Sequence, residues 1–210
     1  TVSPKKIDFS YDIFGNRVLK TVSTRSTEAD VWGIDTSLAF VYKGAQVIAE
    51  FDKLNNNKLK KTLVYGPYID EVLIQTNYSA GTGTNYYPQV DRQYSVRALV
   101  DETCNAVENY DYSPFGKMTI SDENGGALTE TDYANYIGYT GRRLDAESGL
   151  WYFRARYYSD ELGRFINRDP LGYVDGMSLY AGYFAARFLL DPWGLCVCDC
   201  KKFQKIIDAA

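Results

Sequence analysis

Short strand-like runs separated by Gly- and Asn-containing turns constrain the fold of this chain most strongly. Residues 11–17 (Tyr-Asp-Ile-Phe-Gly-Asn-Arg) place an aromatic-acid pair just before a Gly-Asn turn, and residues 110–116 (Tyr-Asp-Tyr-Ser-Pro-Phe-Gly) repeat the arrangement. Residues 51–57 (Phe-Asp-Lys-Leu-Asn-Asn-Asn) resemble an eroded third copy. Gly and Asn tolerate the positive φ of tight turns, so each unit predicts a β-hairpin. Repeated hairpins of this kind stack on one another.

The intervening sequence predicts an all-β protein. Further strand-like runs occupy residues 40–42, 46–51, 59–65 and 71–75. The chain contains 19 Tyr, 10 Phe and 17 Gly, a composition that favours pleated sheet over helix. An array of hairpins cannot bury both of its faces alone, so we expect stacked antiparallel β-hairpins within a larger sheet, solenoid or shell. One short helix of about two turns is predicted after Ser178, from the spacing of Leu179, Tyr180, Tyr183 and Phe184.

Charge and hydropathy argue against several classes of function. The formal net charge is -4 and no Lys/Arg cluster precedes Lys201-Lys202, so nucleic acid is not an expected partner. No apolar run is long enough to span a membrane, and the first residues lack the basic-then-apolar order of a signal peptide. Because no initiator Met is present, we interpret the sequence as a segment of a longer polypeptide.

The four cysteines do not form a disulfide framework. Three of them lie within five residues at Cys196, Cys198 and Cys200, and Cys104 lies about ninety positions earlier. Cys-x-Cys pairs in a strand share one face and can bind a soft metal, but such a site needs a fourth ligand and the chain contains no His. The alternative is that these cysteines simply begin a different downstream segment. No metal or cofactor is therefore predicted.

Two Asp-Pro turns near the C-terminus form a duplicated acidic motif. Asp169-Pro170-Leu171-Gly172 and Asp191-Pro192-Trp193-Gly194 are separated by eighteen residues. Residues 151–158 alternate in a pattern that predicts one continuous strand, with Trp151 and Phe153 on the core face and Arg154 and Arg156 on the opposite face. A second strand, 164–168, then leads to Asp169, which the following Pro holds in extended backbone. Two carboxyl groups brought together can act as general acid and general base on a peptide bond.

A resemblance to the RHS repeat-associated core domain extends over the same region. The residues that carry it are 139–150 (Tyr-Thr-Gly-Arg-Arg-Leu-Asp-Ala-Glu-Ser-Gly-Leu), 154–158 (Arg-Ala-Arg-Tyr-Tyr), 162–165 (Leu-Gly-Arg-Phe) and 168–172 (Arg-Asp-Pro-Leu-Gly). Upstream, residues 11–17 resemble a YD repeat, and residues 95–101 resemble the segment that precedes the core in these proteins. The resemblance covers most of the chain from Phe9 to Leu195.

The resemblance implies a large β-shell that winds around a C-terminal cargo polypeptide and is secreted or displayed at the cell surface. In many members the core is an aspartic self-protease with two Asp-Pro-x-Gly motifs at this spacing. Carried over by position, the acids are Asp169 and Asp191, the supporting cation is Arg156, and the cleaved bond is Leu195-Cys196.

The same resemblance divides the chain into three parts. Residues 1–138 correspond to YD-repeat hairpins, with further repeats expected upstream. Residues 139–195 correspond to the core, and residues 196–210 begin a variable cargo segment. The sequence departs from the family pattern at Tyr94 and Cys104, where relatives have turn glycines, and at residues 185–187 (Ala-Ala-Arg), where an Asn-Pro pair is usual.

Two alternatives remain open at the level of sequence. The Cys196 thiol is positioned to attack the Leu195 carbonyl in an N-to-S acyl shift, with the aspartates assisting. In the other alternative both Asp-Pro motifs are ordinary turns, because Pro fixes φ and Gly adopts the positive φ of the last turn position. The chain is then a structural YD-repeat module for surface contact or adhesion. Triads and dyads that require His are excluded within these 210 residues.

Overall fold

The computed structural model describes residues 3–27, 30–79, 81–173, 176–182 and 190–195. The strands are β1 (Lys5–Tyr11), β2 (Arg17–Thr24), β3 (Gly33–Lys43), β4 (Gln46–Asp52), β5 (Lys58–Tyr65), β6 (Val72–Ser79), β7 (Thr82–Val90), β8 (Val96–Val100), β9 (Ala106–Tyr112), β10 (Met118–Asp122), β11 (Ala127–Leu128), β12 (Arg143–Asp145), β13 (Leu150–Phe153), β14 (Arg156–Ser159) and β15 (Arg164–Phe165). A single-turn 3₁₀ helix spans Tyr139–Gly141.

The strands form two antiparallel sheets in which sequence neighbours are also spatial neighbours. The first sheet contains β1 to β11 in chain order, and the second contains β12 to β15 in chain order. Within each sheet, consecutive strands therefore pair as antiparallel hairpins, as expected from turns that tolerate positive φ. The prediction of an all-β fold of stacked antiparallel hairpins is confirmed.

The short helix predicted after Ser178 is not formed by the described part of that segment. The Phe165 N–H donates to the Tyr180 carbonyl at 2.9 Å, and the Asp169 N–H donates to the Leu179 carbonyl at 2.9 Å. Ala181 also makes an isolated antiparallel bridge with Arg164. This backbone pairs with the end of the second sheet, and its carbonyls are not available for helical hydrogen bonds. Residues 183–189 lie outside the described ranges.

The run 151–158 is a hairpin and not the single strand that its alternation predicts. β13 pairs with β14 so that Phe153 opposes Arg156, and Arg154 occupies the turn with φ +60°. The predicted faces are consequently wrong after Phe153, since Tyr158 is buried and Arg156 is buried beside Asp169. No Gly, Asn or Pro marks this turn in the sequence, so the sequence pattern predicts one strand where the structure has two.

Four hairpin turns of the first sheet share one Asp-capped geometry. In each, the Asp Oδ1 accepts the backbone N–H groups two and four residues later, and a residue with positive φ stands in the fourth position. The capping residues are Asp12, Asp91, Asp101 and Asp122. Gly fills the fourth position in two of these turns, whereas Tyr94 (φ +61°) and Cys104 (φ +64°) fill it in the others. The departures at Tyr94 and Cys104 therefore leave the turn intact, because the Asp cap holds the strained residue in place.

Two adjoining apolar clusters form the core. One combines Leu63, Val72, Val96, Leu99 and Tyr110 of the first sheet with Ile137, which lies between β11 and β12. The other lies at the second sheet and includes Tyr139, Trp151, Phe153, Tyr158 and Phe165. Tyr112 and Met118 pack against both clusters, so the two sheets share one interior.

Between the sheets, the segment 131–145 crosses the strands of the first sheet and contacts them in reverse chain order. From one end to the other, the contacts are Glu108 of β9 with Thr131 and the Asp132 N–H, Gln75 and Asn77 of β6 with the Tyr133 carbonyl, Lys61 of β5 with the Ala134 carbonyl, Glu50 of β4 with Arg143, and Arg17 and Lys20 of β2 with Asp145. These contacts hold the segment at one position on the sheet, because shifting it would leave buried polar and charged groups without their partners. We call residues 131–145 the crossing segment.

Lys61, which contacts the crossing segment, is expected to make the stability of the protein depend on pH. Burial lowers the pKa of Lys61 to about 8, although Glu50 opposes the shift. The unfolded chain, with an ordinary lysine pKa of about 10.4, binds more protons between these values, so the free energy of unfolding rises with pH in that window. For this one group the expected gain between pH 7.5 and 9.5 is about 2 kcal/mol.

The measurement is urea unfolding of the full-length protein at several pH values up to 9.5. The Lys61 contribution is the difference between variants, because ionisation of the 19 tyrosines affects all of them alike. Lys61→Met is expected to remove this rise, and Lys60→Met, which replaces the exposed neighbour on the same strand, is expected to keep it. Equal pH slopes in the two variants would contradict the assignment.

Within the part of the chain that the structure describes, no helix has the length and apolar character needed to cross a membrane.

Candidate functional site

Each Asp-Pro motif folds into a turn that the aspartate itself caps. Asp169 Oδ1 accepts the Leu171 N–H at 2.8 Å, and the Gly172 N–H donates to the Asp169 carbonyl at 3.2 Å. Asp191 Oδ1 accepts the Leu195 N–H at 3.0 Å, and the Gly194 N–H donates to the Asp191 carbonyl at 3.4 Å. One carboxylate oxygen of each aspartate therefore holds its own turn, and the other is directed elsewhere.

The second carboxylate oxygen of each aspartate contacts the same guanidinium group. Arg156, the first residue of β14, places Nη1 2.8 Å from Asp169 Oδ2 and Nη2 3.5 Å from Asp191 Oδ2. Arg156, Asp169 and Asp191 are 3%, 5% and 4% exposed. The guanidinium carbon also lies 3.7 Å from the centre of the Phe165 ring, which limits its movement. The structure thus brings together all three side chains that the sequence singles out.

The second Asp-Pro turn docks on the β13–β14 hairpin through three consecutive carbonyls. The Pro192 carbonyl accepts Arg142 Nη1 at 2.8 Å and also Arg154 Nη1, and the Trp193 carbonyl accepts the Ala155 N–H at 3.2 Å. The Gly194 carbonyl accepts Arg156 Nε. A buried loop needs its backbone polar groups satisfied, and here side chains and backbone of one hairpin satisfy all three. We call residues 191–195 the docked turn.

Gly194 is required by this docking. Its φ is +66°, and a Cβ at this position would lie 2.3 Å from the Phe153 carbonyl oxygen. No side chain fits between the docked turn and β13 without moving backbone. The Gly of the second motif therefore permits close approach as well as the turn itself.

A further acid supports the docked turn from the first sheet. Asp70, in the connection between β5 and β6, pairs through Oδ2 with Arg142 Nη2 and through Oδ1 with Arg154 Nη2 at 2.7 Å. Burial, together with the nearby Arg154 charge, lowers the pKa of Arg142 well below its ordinary value, and burial also lowers that of Arg154. Sequence reasoning missed Asp70, Arg142 and the contact role of Arg154. The one available signal was Gly141, where a Cβ would lie 2.7 Å from the Asp70 Cβ.

The remaining predicted positions are only partly described. Leu195 is described and its N–H is held by Asp191, whereas Cys196 and the possible metal ligands Cys198 and Cys200 lie outside the described residues. Cys104 is exposed. Across the described ranges, no group of three or more His, Cys, Asp or Glu side chains is arranged to hold a metal ion.

Comparison with known families and proteins gives a consistent set of similarities. The Teneurin YD-shell family model matches residues 5–178. The chain is 28% identical over 171 residues to the tRNA3(Ser)-specific nuclease WapA of Bacillus spizizenii, covering 81% of this chain and 6% of that protein. It is 25% identical over 202 residues to the double-stranded DNA deaminase toxin A of Burkholderia cenocepacia, covering 89% of this chain and 14% of that protein. The chain thus spans 6% and 14% of the length of these two relatives.

A solved structure shows the same fold. The TcdB2-TccC3 crystal structure superposes with a TM-score of 0.65 at 21% identity, covering 90% of this chain and 9% of that chain.

Proposed function

Because the chain belongs to the Teneurin YD-shell family, we propose that it is part of a shell that encloses a C-terminal cargo polypeptide and releases it by aspartate-dependent self-cleavage at Leu195-Cys196. The similar nuclease and deaminase toxin are far longer than this chain, which supports a role as one part of a larger toxin. In this proposal further YD repeats precede β1, the segment contacts its own cargo and no nucleic acid, and the protein acts outside the cell or at its surface.

The observation that carries the cleavage proposal is the shared guanidinium. Arg156 contacts one oxygen of Asp169 and one of Asp191, and all three groups are almost fully buried. One positive charge between two carboxyl groups is neutral when one group is ionised and the other protonated, which is the arrangement that acid-base hydrolysis of a peptide bond needs.

The proposed chemistry is a single hydrolysis in cis. The ionised carboxylate removes a proton from a water whose oxygen bonds to the Leu195 carbonyl carbon. The protonated partner stabilises the oxyanion and then protonates the Cys196 nitrogen as the C–N bond breaks. Leu195 leaves with a new carboxylate and Cys196 with a new amino group. The docked turn holds the bond next to the acids, so tethering replaces substrate binding and one turnover suffices.

A second candidate is a structural YD-repeat module without catalytic activity. The observation in its favour is that Asp12, Asp91, Asp101 and Asp122 cap turns of the first sheet as Asp169 and Asp191 cap theirs. In that case the aspartates serve turn geometry alone.

The deciding experiment is an intact mass spectrum of the full-length protein. Cleavage predicts two species, one ending at Leu195 and one beginning at Cys196, in the wild type and also in Cys196→Ala. Loss of cleavage in Cys196→Ala would favour attack by the thiol. An uncut wild-type chain would refute the release proposal and leave the structural module.

A further inference from the structure

We propose that Asp70 is a positioning residue that links packing of the first sheet against the crossing segment to assembly of the docked turn, so that cleavage requires the two sheets to be packed together. This inference rests on the proposed function for its biological meaning, because it concerns the same bond. Its structural content, the dependence of the docked turn on Asp70, is testable without cleavage.

Two cations converge on a single backbone oxygen in the docked turn. Arg142 Nη1 and Arg154 Nη1 both donate to the Pro192 carbonyl. Arg142 is 3% exposed, so little water is available to separate the two charges. Like charges at this distance and depth repel each other strongly and remain only when an anion compensates them. Repulsion from Arg154 contributes to the lowered pKa of Arg142.

Asp70 provides that compensation from the other sheet. Its two carboxylate oxygens are divided between Arg142 and Arg154, and the residue is 4% exposed. No other Asp or Glu of the described ranges forms an ion pair with either arginine. Because Asp70 belongs to the β5–β6 connection, both arginines gain this ion-pair partner only when that connection packs against the crossing segment.

Close backbone approach fixes the position of Asp70. Gly141 lies directly against it, where a Cβ would meet the Asp70 Cβ at 2.7 Å and its carbonyl oxygen at 3.0 Å. Arg154 Nε also donates to the Ala45 carbonyl of the β3–β4 turn at 3.3 Å, which adds a second contact to the first sheet. The sheet and the docked turn are therefore linked through a short chain of Asp70, the two arginines and the Pro192 carbonyl.

The consequence is an order of events. Until the β5–β6 connection has packed against the crossing segment, the two arginines lack Asp70 and repel each other at the Pro192 carbonyl, and the docked turn is displaced. A displacement of about 1 Å at a reacting bond lowers a rate by roughly 100-fold. Under the proposed function, cargo then stays attached until this part of the protein has folded.

The test compares Asp70→Asn with Glu50→Gln in the full-length protein. Glu50 is an equally buried acid that pairs with Arg143, the neighbour of Arg142, and it does not contact the docked turn. Asp70→Asn is expected to slow cleavage by roughly 10- to 100-fold, and Glu50→Gln by less than about twofold. Similar slowing in both variants would overturn the inference and indicate general loss of stability.

A double variant distinguishes charge compensation from a merely structural role. Removing one cation together with the acid, in Asp70→Asn/Arg154→Gln, is expected to restore part of the rate lost in Asp70→Asn. A double variant as slow as the single variant, or slower, would contradict the proposal.

Hydrogen exchange separates failure of this inference from failure of the cleavage proposal. In the uncleaved Asp169→Asn background, peptides covering Ala155 and Leu195 are expected to exchange faster with Asp70→Asn, to recover partly in the double variant, and to remain unchanged with Glu50→Gln. Unchanged exchange with Asp70→Asn overturns the role of Asp70 whether or not the wild type is cleaved. If Asp70→Asn alone does not fold, the double variant decides the matter. Its peptides covering Ala155 and Leu195 are expected to exchange faster than in the Asp169→Asn background, and exchange equal to that background would contradict the role of Asp70.

Discussion

Asp169→Asn and Asp191→Asn are each expected to reduce formation of the Cys196-initiated fragment by roughly 100- to 10,000-fold. Asn is the sharpest replacement because it is nearly isosteric and keeps Oδ1 as an acceptor. The Leu171 N–H and the Leu195 N–H therefore keep their caps, and both turns persist. What is lost is the ionisable second oxygen that faces Arg156, and with it the ability to exchange a proton.

A matched control for this pair is Asp122→Asn. Asp122 caps its own turn through Oδ1, to the Asn124 and Gly126 N–H groups, and it forms no contact with Arg156 in the described structure. The Asp122→Asn protein is expected to be cleaved at the wild-type rate, which is measured by intact mass spectrometry over time. Normal cleavage in either Asp169→Asn or Asp191→Asn would show that the carboxylates do not perform the chemistry.

The sequence predicts those parts of the site that depend on local chemistry. Each Asp-Pro-x-Gly motif specifies its own turn, and the duplicated motif with the family spacing predicted that Asp169 and Asp191 meet. The role of Arg156 followed from the resemblance, and its place between the two acids required the β13–β14 hairpin, which the sequence presents as one strand. Arg154 forms that turn at φ +60° without the Gly or Asn that signals such a corner.

Asp70 and Arg142 were beyond the reach of sequence reasoning for a different reason. They lie 72 residues apart in the sequence and meet only after the crossing segment passes over the first sheet. Sequence periodicity reports which face of a strand is apolar, and it carries no information on which distant charge neutralises a buried one. Buried ion pairs are set by tertiary packing, so the contacts between the two sheets appear only in the three-dimensional structure.

Asp145→Asn is expected to have the largest effect on stability, lowering the free energy of unfolding by about 3–5 kcal/mol. Asp145 is fully buried, and its two oxygens pair with Arg17 Nη1 at 2.5 Å and with Lys20 Nζ at 3.0 Å. Arg17 is 1% exposed and its guanidinium carbon lies 4.2 Å from the centre of the Tyr152 ring. Without the carboxylate charge, two cations on β2 remain inside the protein. Among the described residues, Glu147 still pairs with Lys20, and Arg17 has no remaining ion pair.

The expected loss is measured by urea unfolding of the full-length protein, followed by tryptophan fluorescence, since Trp151 is buried next to Tyr152 in β13. Asp8→Asn is the matched control, because Asp8 pairs with Lys6 at 2.8 Å on the exposed face of β1 and such pairs contribute little. Its unfolding midpoint is expected to stay at the wild-type value. An equally small effect for Asp145→Asn would mean that water enters the site and hydrates Arg17.

Charge compensation in this cluster also predicts non-additivity. Arg17→Met keeps most of the side-chain volume over Tyr152 and removes the cation, so Asp145→Asn/Arg17→Met is expected to be more stable than the sum of the two single losses implies. Asp145→Asn leaves the buried Arg17 cation without its acid, and Arg17→Met leaves Asp145 paired with Lys20 alone, whereas the double variant leaves only the Lys20–Glu147 pair. Additive losses would instead show that Asp145 stabilises the end of the crossing segment through its backbone contacts and not through its charge.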